Sequence, residues 1–344
     1  VINAWATQAI GRLDEERRRT GVTPLREFPL PEEWGVRLLL KDESAHPEGG
    51  LKLRLARALF RGAIAAGRIR EGTTVVEAAG GAMAAAQAYL ARLLGLPYVA
   101  VMPKKSSGAD VERLGGTCRY VDPPLAIYDE ARELAERLGG HYVDHYAAAA
   151  SVDWHGGSLA EELFGQLGTC PHWVVVGAAT GATSAALGRH LRGRGLPGRL
   201  AVADPENSAY FPGWAYGAAD YSTGMPSRIE GVGRPRVEPG FAADVVDLVV
   251  PVPDAASVAA ARRLRAATGL AVGPAGGTNL WGALELAARM RAEGVRGDVV
   301  AVIGEAHPRH LRACHDDVWA EGRGLDWRPH AARLTEVLDR GAPW

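Results

Sequence analysis

The stretch Pro47-Glu48-Gly49-Gly50-Leu51-Lys52-Leu53-Arg54 sets a single lysine just behind a glycine pair. Upstream, Val36–Lys41 reads as a buried strand. Downstream, Leu55, Leu59, Ala63 and Ile64 recur at helical spacing, which predicts a helix beginning near Leu51. Lys52 then lies in a first helical turn, where the macrodipole disfavours positive charge. An amine placed there has reason to lose its proton, and the neutral form attacks a carbonyl to make a Schiff base. A solvated surface lysine after a Gly-Gly turn is the other reading of this segment. The second chemical stretch follows the strand Trp173–Val176 and reads Gly177-Ala178-Ala179-Thr180-Gly181-Ala182-Thr183, with a helix predicted from Ser184. Small residues and threonines at a helix start let backbone N–H groups approach an anion. The loop is neither Gly-x-Gly-x-x-Gly nor a Walker sequence and has no acid placed for a ribose, so one phosphate suits it better than a nucleotide. A tight strand–helix turn that binds nothing remains the alternative.

The elements that must hold these two stretches alternate along the chain. Further strands are expected at Val36–Leu40, Thr73–Glu77, Tyr98–Met102, Cys118–Val121, Leu200–Ala203, Val245–Val250 and Val299–Ile303. Helical periodicity fills Ala82–Leu94, Leu125–Leu138, Ser184–Arg194, Ala255–Thr268 and Leu280–Glu293. Apolar strands with helical crossovers predict an α/β fold with mainly parallel sheet covered on both faces. Residues 205–240 form a long Gly- and Pro-rich connection of the kind that walls sites. A length of 344 residues allows two domains, and 47% hydrophobic with 23% charged residues describes a globular chain with ample core. With 39 basic and 40 acidic residues the net charge is −1, which excludes a large electrostatic footprint for nucleic acid or an anionic membrane. Three scattered cysteines, Cys118, Cys170 and Cys314, make neither a disulfide framework nor a metal cluster. With no apolar run of membrane-spanning length and no signal-peptide pattern in the first residues, the expected compartment is the cytoplasm.

A Schiff-base lysine and a one-phosphate cradle in an α/β fold are what pyridoxal phosphate requires. At these motifs the chain resembles the fold type II pyridoxal-phosphate enzymes, specifically the cysteine synthase and cystathionine β-synthase group. Pro47–Arg54 is similar to that group's Pro-Thr-Gly-Ser-x-Lys-x-Arg segment, and Gly177–Thr183 to its Gly-x-Gly-Thr-Gly-Gly-Thr loop. Glu77–Gly81 stands where the family has Glu-Pro-Thr-Ser-Gly-Asn-Thr, and Ile229–Gly233 resembles its Ile-x-Gly-Ile-Gly segment. Gly273-Pro274-Ala275-Gly276-Gly277-Thr278-Asn279 occupies the place of the late Gly-x-Ser-Ser/Thr-Gly segment. The likeness runs in register over roughly residues 35–310. It implies two domains, a smaller one at 45–155 and a larger one formed by 1–44 and 156–344. It also implies a homodimer, a small amino-acid substrate, and no nucleic-acid or membrane partner.

By the resemblance, Lys52 is the Schiff-base position and the base at Cα. Gly177, Ala179, Thr180, Gly181, Ala182 and Thr183 hold the phosphate, with Ala82 and Ala275 against the ring. Ala79, Gly80, Gly81, Ala82 and Gly231 face the substrate. The implied chemistry is β-elimination or β-replacement on a serine- or cysteine-derived amino acid. Departures are concentrated in the same places. Ala82 stands for the asparagine at the phenolic oxygen, and Ala275 for the hydroxyl at the pyridine nitrogen. The hydroxyl-rich carboxylate loop is Ala79-Gly80-Gly81-Ala82-Met83, and Glu48 and Gly50 replace Thr and Ser before the lysine. These losses leave open an unusual substrate in specialised metabolism, another pyridoxal-phosphate reaction, or a non-catalytic scaffold. Glu48 stands as a proton-transfer candidate or a solvent-facing glutamate. Glu305 or His307 is expected to approach the pyridine edge. His155 is either a cleft residue or a surface histidine, and Arg234 and Arg236 are either anion ligands or loop arginines facing water. Tyr210, Phe211 and Trp214 either line the site mouth or anchor the long loop.

Overall fold

The computed structural model describes residues 3–48, 50–151 and 159–344; Gly49 and the Asp153–Gly157 segment with His155 lie outside them. The chain divides into two compact units, Val1–Thr23 with Ala45–His155, and Pro24–Ser44 with Gly156–Trp344. The sequence reading assigns residues 1–44 to the larger unit; Val1–Thr23 belong instead to the smaller one. The reason is a buried ion pair. Helix α1 (Ala4–Thr20) presents Glu16 to Arg57 of α2 (Lys52–Ala65), with Arg57 Nη2 at 2.6 Å from Glu16 Oε2 and both groups nearly sealed from water.

In sequence order the chain continues through β1 (Leu25–Phe28), β2 (Val36–Asp42) and α2, then β3 (Val75–Ala78), α3 (Gly81–Leu94) and β4 (Tyr98–Pro103). Next come α4 (Ala109–Arg113), β5 (Thr117–Val121), α5 (Ile127–Arg137), β6 (His141–Tyr142) and α6 (His145–Ala148). The later part comprises α7 (Leu159–Leu167), β7 (Trp173–Gly177), α8 (Ala182–Gly193), β8 (Arg199–Pro205) and α9 (Tyr210–Tyr216). It ends with β9 (Leu248–Val252), α10 (Asp254–Thr268), α11 (Pro274–Ala292), β10 (Gly297–Ile303), α12 (Asp317–Glu321) and α13 (Arg328–Arg340).

In the smaller unit the described strands form a four-stranded parallel sheet in the order β5-β4-β3-β6. Val76, Ala78 and Val101 pack on Ile127, Ala131 and Ala135 of α5. In the larger unit six described strands run β1-β2-β10-β7-β8-β9, parallel except for the antiparallel pair β1–β2. Its core sets Val175, Ala201, Val299 and Ala301 of the strands against Leu280, Leu284 and Ala287 of α11. Strands buried on both faces explain the unbroken Val-Val-Val and Leu-Leu-Leu runs. In parallel sheets the connections leaving the strand C-termini collect at one edge, where α/β sites form. Both chemical stretches sit on such connections or on a helix start, one in each unit.

Candidate active site

In the smaller unit Lys52 is the first residue of α2 and half-buried. The turn before it relies on positive φ at Glu48 (32°) and Gly50 (54°), and the Gly50 carbonyl accepts the Leu53 N–H at 3.0 Å. Leu51, the N-cap of α2, makes no side-chain capping bond, and the Arg54 N–H goes to the Leu51 carbonyl at 3.2 Å. Glu48 is committed to Arg113, whose Nη2 donates to Glu48 Oε2 at 2.7 Å. The second connection in this unit follows β3. Gly80, which has no side chain, is the extended N-cap of α3, and Gly81 adopts φ +57°. Ala79 is buried while Gly81 and Ala82 are partly open, so the carboxylate cradle implied by the resemblance consists here of backbone and methyl groups. Behind it Glu77 is fully buried and accepts from the Gln87 amide (2.7 Å) and the Ala78 N–H (2.9 Å), fixing the end of β3.

In the larger unit β7 ends at Gly177 and α8 starts at Ala182 with Gly181, which has no side chain, as its N-cap. Gly181 has φ +80°, and a Cβ there would fall 2.4 Å from the Phe241 nitrogen, so only glycine fits. Thr180 is buried and its Oγ1 accepts the Ala182 N–H at 3.2 Å, a bond that does not use its own hydroxyl proton. Ser184 Oγ donates to the Gly181 carbonyl at 2.9 Å, and Thr183 is half-buried. The long 205–240 connection is tied to this loop at two points. Tyr210, fully buried, donates its hydroxyl to the Ala179 carbonyl, and the Gly233 N–H bonds the Ala178 carbonyl at 2.8 Å. Tyr210 thus anchors the Gly177–Thr183 loop. Arg234 and Arg236 turn to Glu238, with Nε to Oε1 distances of 2.8 and 3.3 Å.

The Gly273–Asn279 segment meets the same region. Gly231, at φ +93°, lies against Ala275: a Cβ on the glycine would be 3.5 Å from the Ala275 methyl. Pro274 occupies the first turn of α11, so Ala275 and Asn279 lie one turn apart on one helix face. Glu305 is partly buried but fully engaged, with Arg309 Nη2 at 2.5 Å and His310 Nε2 at 3.3 Å. Burial pushes its carboxyl up, yet the His310 hydrogen bond and the charges of Arg309, His310 and His307 bring it below its ordinary value. His307 is exposed and accepts the Arg309 N–H through Nδ1 at 3.2 Å. Glu305 is thus held within this ion-paired cluster, while the hydrogen bond that His307 makes uses its Nδ1 alone. A separate cavity of about 420 Å³ runs between α7 and the C-terminal half of α8, lined by Phe164, Cys170, His190 and Arg194. It contains none of the candidate site residues.

Residues 17–305 match the family described as "Pyridoxal-phosphate dependent enzyme". The chain belongs to that family, and its fold is that of the fold type II members. It is 45% identical to an L-cysteine desulfhydrase of Mycobacterium tuberculosis, over 99% of this chain and 96% of the relative. It is 26% identical to a cysteine synthase of Emericella nidulans, covering 94% and 90% of the two chains. Among solved structures, an O-acetylserine-dependent cystathionine β-synthase from Helicobacter pylori aligns with TM-score 0.72 and 26% identity, over 88% of this chain and 96% of the other. The family's cofactor is pyridoxal 5'-phosphate, and the residues present fit it. The start of α8 offers backbone N–H groups and the Thr180 hydroxyl to a phosphate, and the half-buried Lys52 heads α2.

Proposed function

We propose that this protein is a pyridoxal-phosphate-dependent lyase that removes the sulfur of L-cysteine, with water as the second reactant and pyruvate, ammonia and hydrogen sulfide as products. The observation that carries the reading is the lysine heading α2 within a chain 45% identical to a desulfhydrase along nearly its whole length. Lys52 is the proposed point of covalent attachment. Gly177, Ala179, Thr180, Gly181, Ala182 and Thr183 are the proposed phosphate loop, with Ala275 and Ala82 flanking the ring. When bound, the cofactor supplies an electron sink for the pair left at the substrate's Cα. The chain's own part is positioning and proton transfer. The backbone N–H groups of Gly80, Gly81 and Ala82 hold the substrate carboxylate at the α3 N-terminus, where the helix dipole favours negative charge. Gly231 leaves the space beside Ala275 unfilled. Lys52 Nζ takes the proton from Cα, after which the sulfur departs from Cβ.

β-Replacement, in which a second nucleophile takes the place of sulfide, uses the same residues and diverges only once the sulfur has departed. The homodimer and the cytoplasmic location belong to this proposal. Cys118, Cys170 and Cys314, all free thiols, accord with a reducing compartment. The test is sulfide release from L-cysteine by the protein incubated with pyridoxal phosphate, with Lys52→Ala as control. Sulfide and pyruvate in equal amounts, lost in the variant, support the reading. Release by the variant at the wild-type rate would sink it.

A further inference from the structure

The loop that the resemblance sets against the substrate carboxylate has lost its hydroxyls, and Gly80 stands where that family has serine. The fold brings a hydroxyl to the same place from the next strand. β3 and β4 are parallel neighbours, with Ala78 opposite Val101, so the connections that follow them leave the sheet at one edge. A Cβ built on Gly80 would lie 3.7 Å from Ser106 Oγ and 3.9 Å from Ser106 Cβ. Among the described residues, its chain neighbours aside, it meets no other heavy atom within 4 Å. The Ser106 hydroxyl therefore borders the space that a side chain at position 80 would fill, and that space is otherwise open. Ser106 is also held in place. Its N–H bonds the Pro103 carbonyl at 2.8 Å, and the Lys104 N–H bonds the Val121 carbonyl at 3.0 Å. Gly108 is pressed so close to β5 that a Cβ on it would fall 2.4 Å from Cys118 Sγ. The neighbouring Ser107 turns to the start of α4, where its Oγ accepts the Ala109 N–H at 3.5 Å. Ser106 is half-buried, and its hydroxyl enters no hydrogen bond among the described residues. Its proton is left to donate to a ligand.

We propose that Ser106 binds the α-carboxylate of the substrate, donating its hydroxyl proton beside the backbone N–H groups of Gly80, Gly81 and Ala82. The β4 connection thereby supplies the hydroxyl that position 80 lacks. This rests on the substrate cradle proposed above. The chemistry of the contact has two consequences. A hydroxyl donates more strongly to a carboxylate than to a neutral amide of the same shape, so Ser106 adds to the selection of free amino acids. The carboxylate takes no part in bond breaking, so the contact contributes alike to bound substrate and to the reacting state. Its loss then raises KM and leaves kcat nearly unchanged.

The experiment is to load the full chain with pyridoxal phosphate and titrate it with L-alanine and with L-alaninamide, following the change in the visible band. Neither ligand has a leaving group at Cβ, and the two differ only in carboxylate against amide. The wild type should bind L-alanine more tightly. Ser106→Ala should weaken L-alanine about tenfold and change L-alaninamide by less than about threefold, the difference between a charged and a neutral acceptor. With L-cysteine the same variant should raise KM by a similar factor at nearly constant kcat. Adding Gly80→Ser to Ser106→Ala should recover most of the L-alanine affinity, because residue 80 is extended (φ −117°) and its Cβ has room. Equal weakening of both ligands, no weakening, or a loss that Gly80→Ser leaves unrepaired overturns the role of Ser106. The cradle itself still stands in those cases, provided the wild type prefers the carboxylate. A wild type with no preference between the two ligands, or no response to either, overturns the cradle and the inference with it.

Discussion

Asp204 lies at the end of β8, beside the strand that leads into the Gly177–Thr183 loop, and its environment makes a quantitative prediction. It is 1% exposed; the Phe211 N–H donates to Oδ2 at 2.8 Å, and Oδ1 has no partner among the described residues. Burial pushes its carboxyl up from the ordinary 3.8 to about 6, against the smaller downward pull of Ser208 and the Phe211 N–H. The folded chain therefore binds this proton more tightly than the unfolded chain does. Stability contributed by the protonated acid is fully present below about pH 4 and is lost as pH rises from about 4 to 6. A shift of about two units corresponds to about 3 kcal/mol at about 1.4 kcal/mol per unit. Asp204→Asn keeps the acceptor for Phe211 and removes the titration. Urea unfolding of both proteins, without added cofactor, at pH 4, 5, 6 and 7.5 isolates the effect. Every other titrating group is common to both, and the fixed cost of the substitution cancels in the pH dependence. The stability difference, variant minus wild type, should rise by about 2–3 kcal/mol between pH 4 and pH 7. A difference independent of pH would refute the picture of a buried, half-satisfied carboxyl.

Two further predictions concern the site. Glu305 sits below its ordinary value, so its contribution is present at neutral pH and is lost as pH falls through the range below about 4. Glu305→Gln should accordingly lower the neutral-pH melting temperature while narrowing its gap to wild type in acid; an equal gap at both pH values would contradict the ion-pair assignment. Ala82→Asn, which restores a polar group at the partly open start of α3, should tighten cofactor binding by about tenfold, the size of one ring hydrogen bond. Unchanged affinity by fluorescence titration would remove Ala82 from the ring.

Strands are the most legible feature of the sequence because parallel strands buried on both faces are unbroken apolar runs. Trp173–Val176 and Val299–Ile303 appear where their composition puts them, within β7 and β10. β1 is not legible. Leu25-Arg26-Glu27-Phe28 carries no apolar run and lies between two prolines, and it becomes a strand only through antiparallel pairing with β2. α11 is expected from Leu280 but starts at Pro274. Pro-Ala-Gly-Gly reads as a turn, whereas a proline in the first helical turn and a glycine pressed against α10 allow a helix. Tyr210 is ambiguous for another reason: its bond to Ala179 joins segments 31 residues apart, which no local pattern reports. The helix starts at Lys52 and after Gly177–Thr183 are legible because glycine-rich turns into helices are local in the chain.

The central claim is that Lys52 carries pyridoxal phosphate. The most direct measurement is the ultraviolet–visible spectrum of the purified protein incubated with the cofactor, before and after borohydride, followed by mass spectrometry of the peptide containing Lys52. The expected result is a visible absorption band that borohydride bleaches, with a pyridoxyl group on Lys52 and no such band in Lys52→Ala. A colourless protein with an unmodified Lys52 would contradict the claim and would favour a non-catalytic role for this chain.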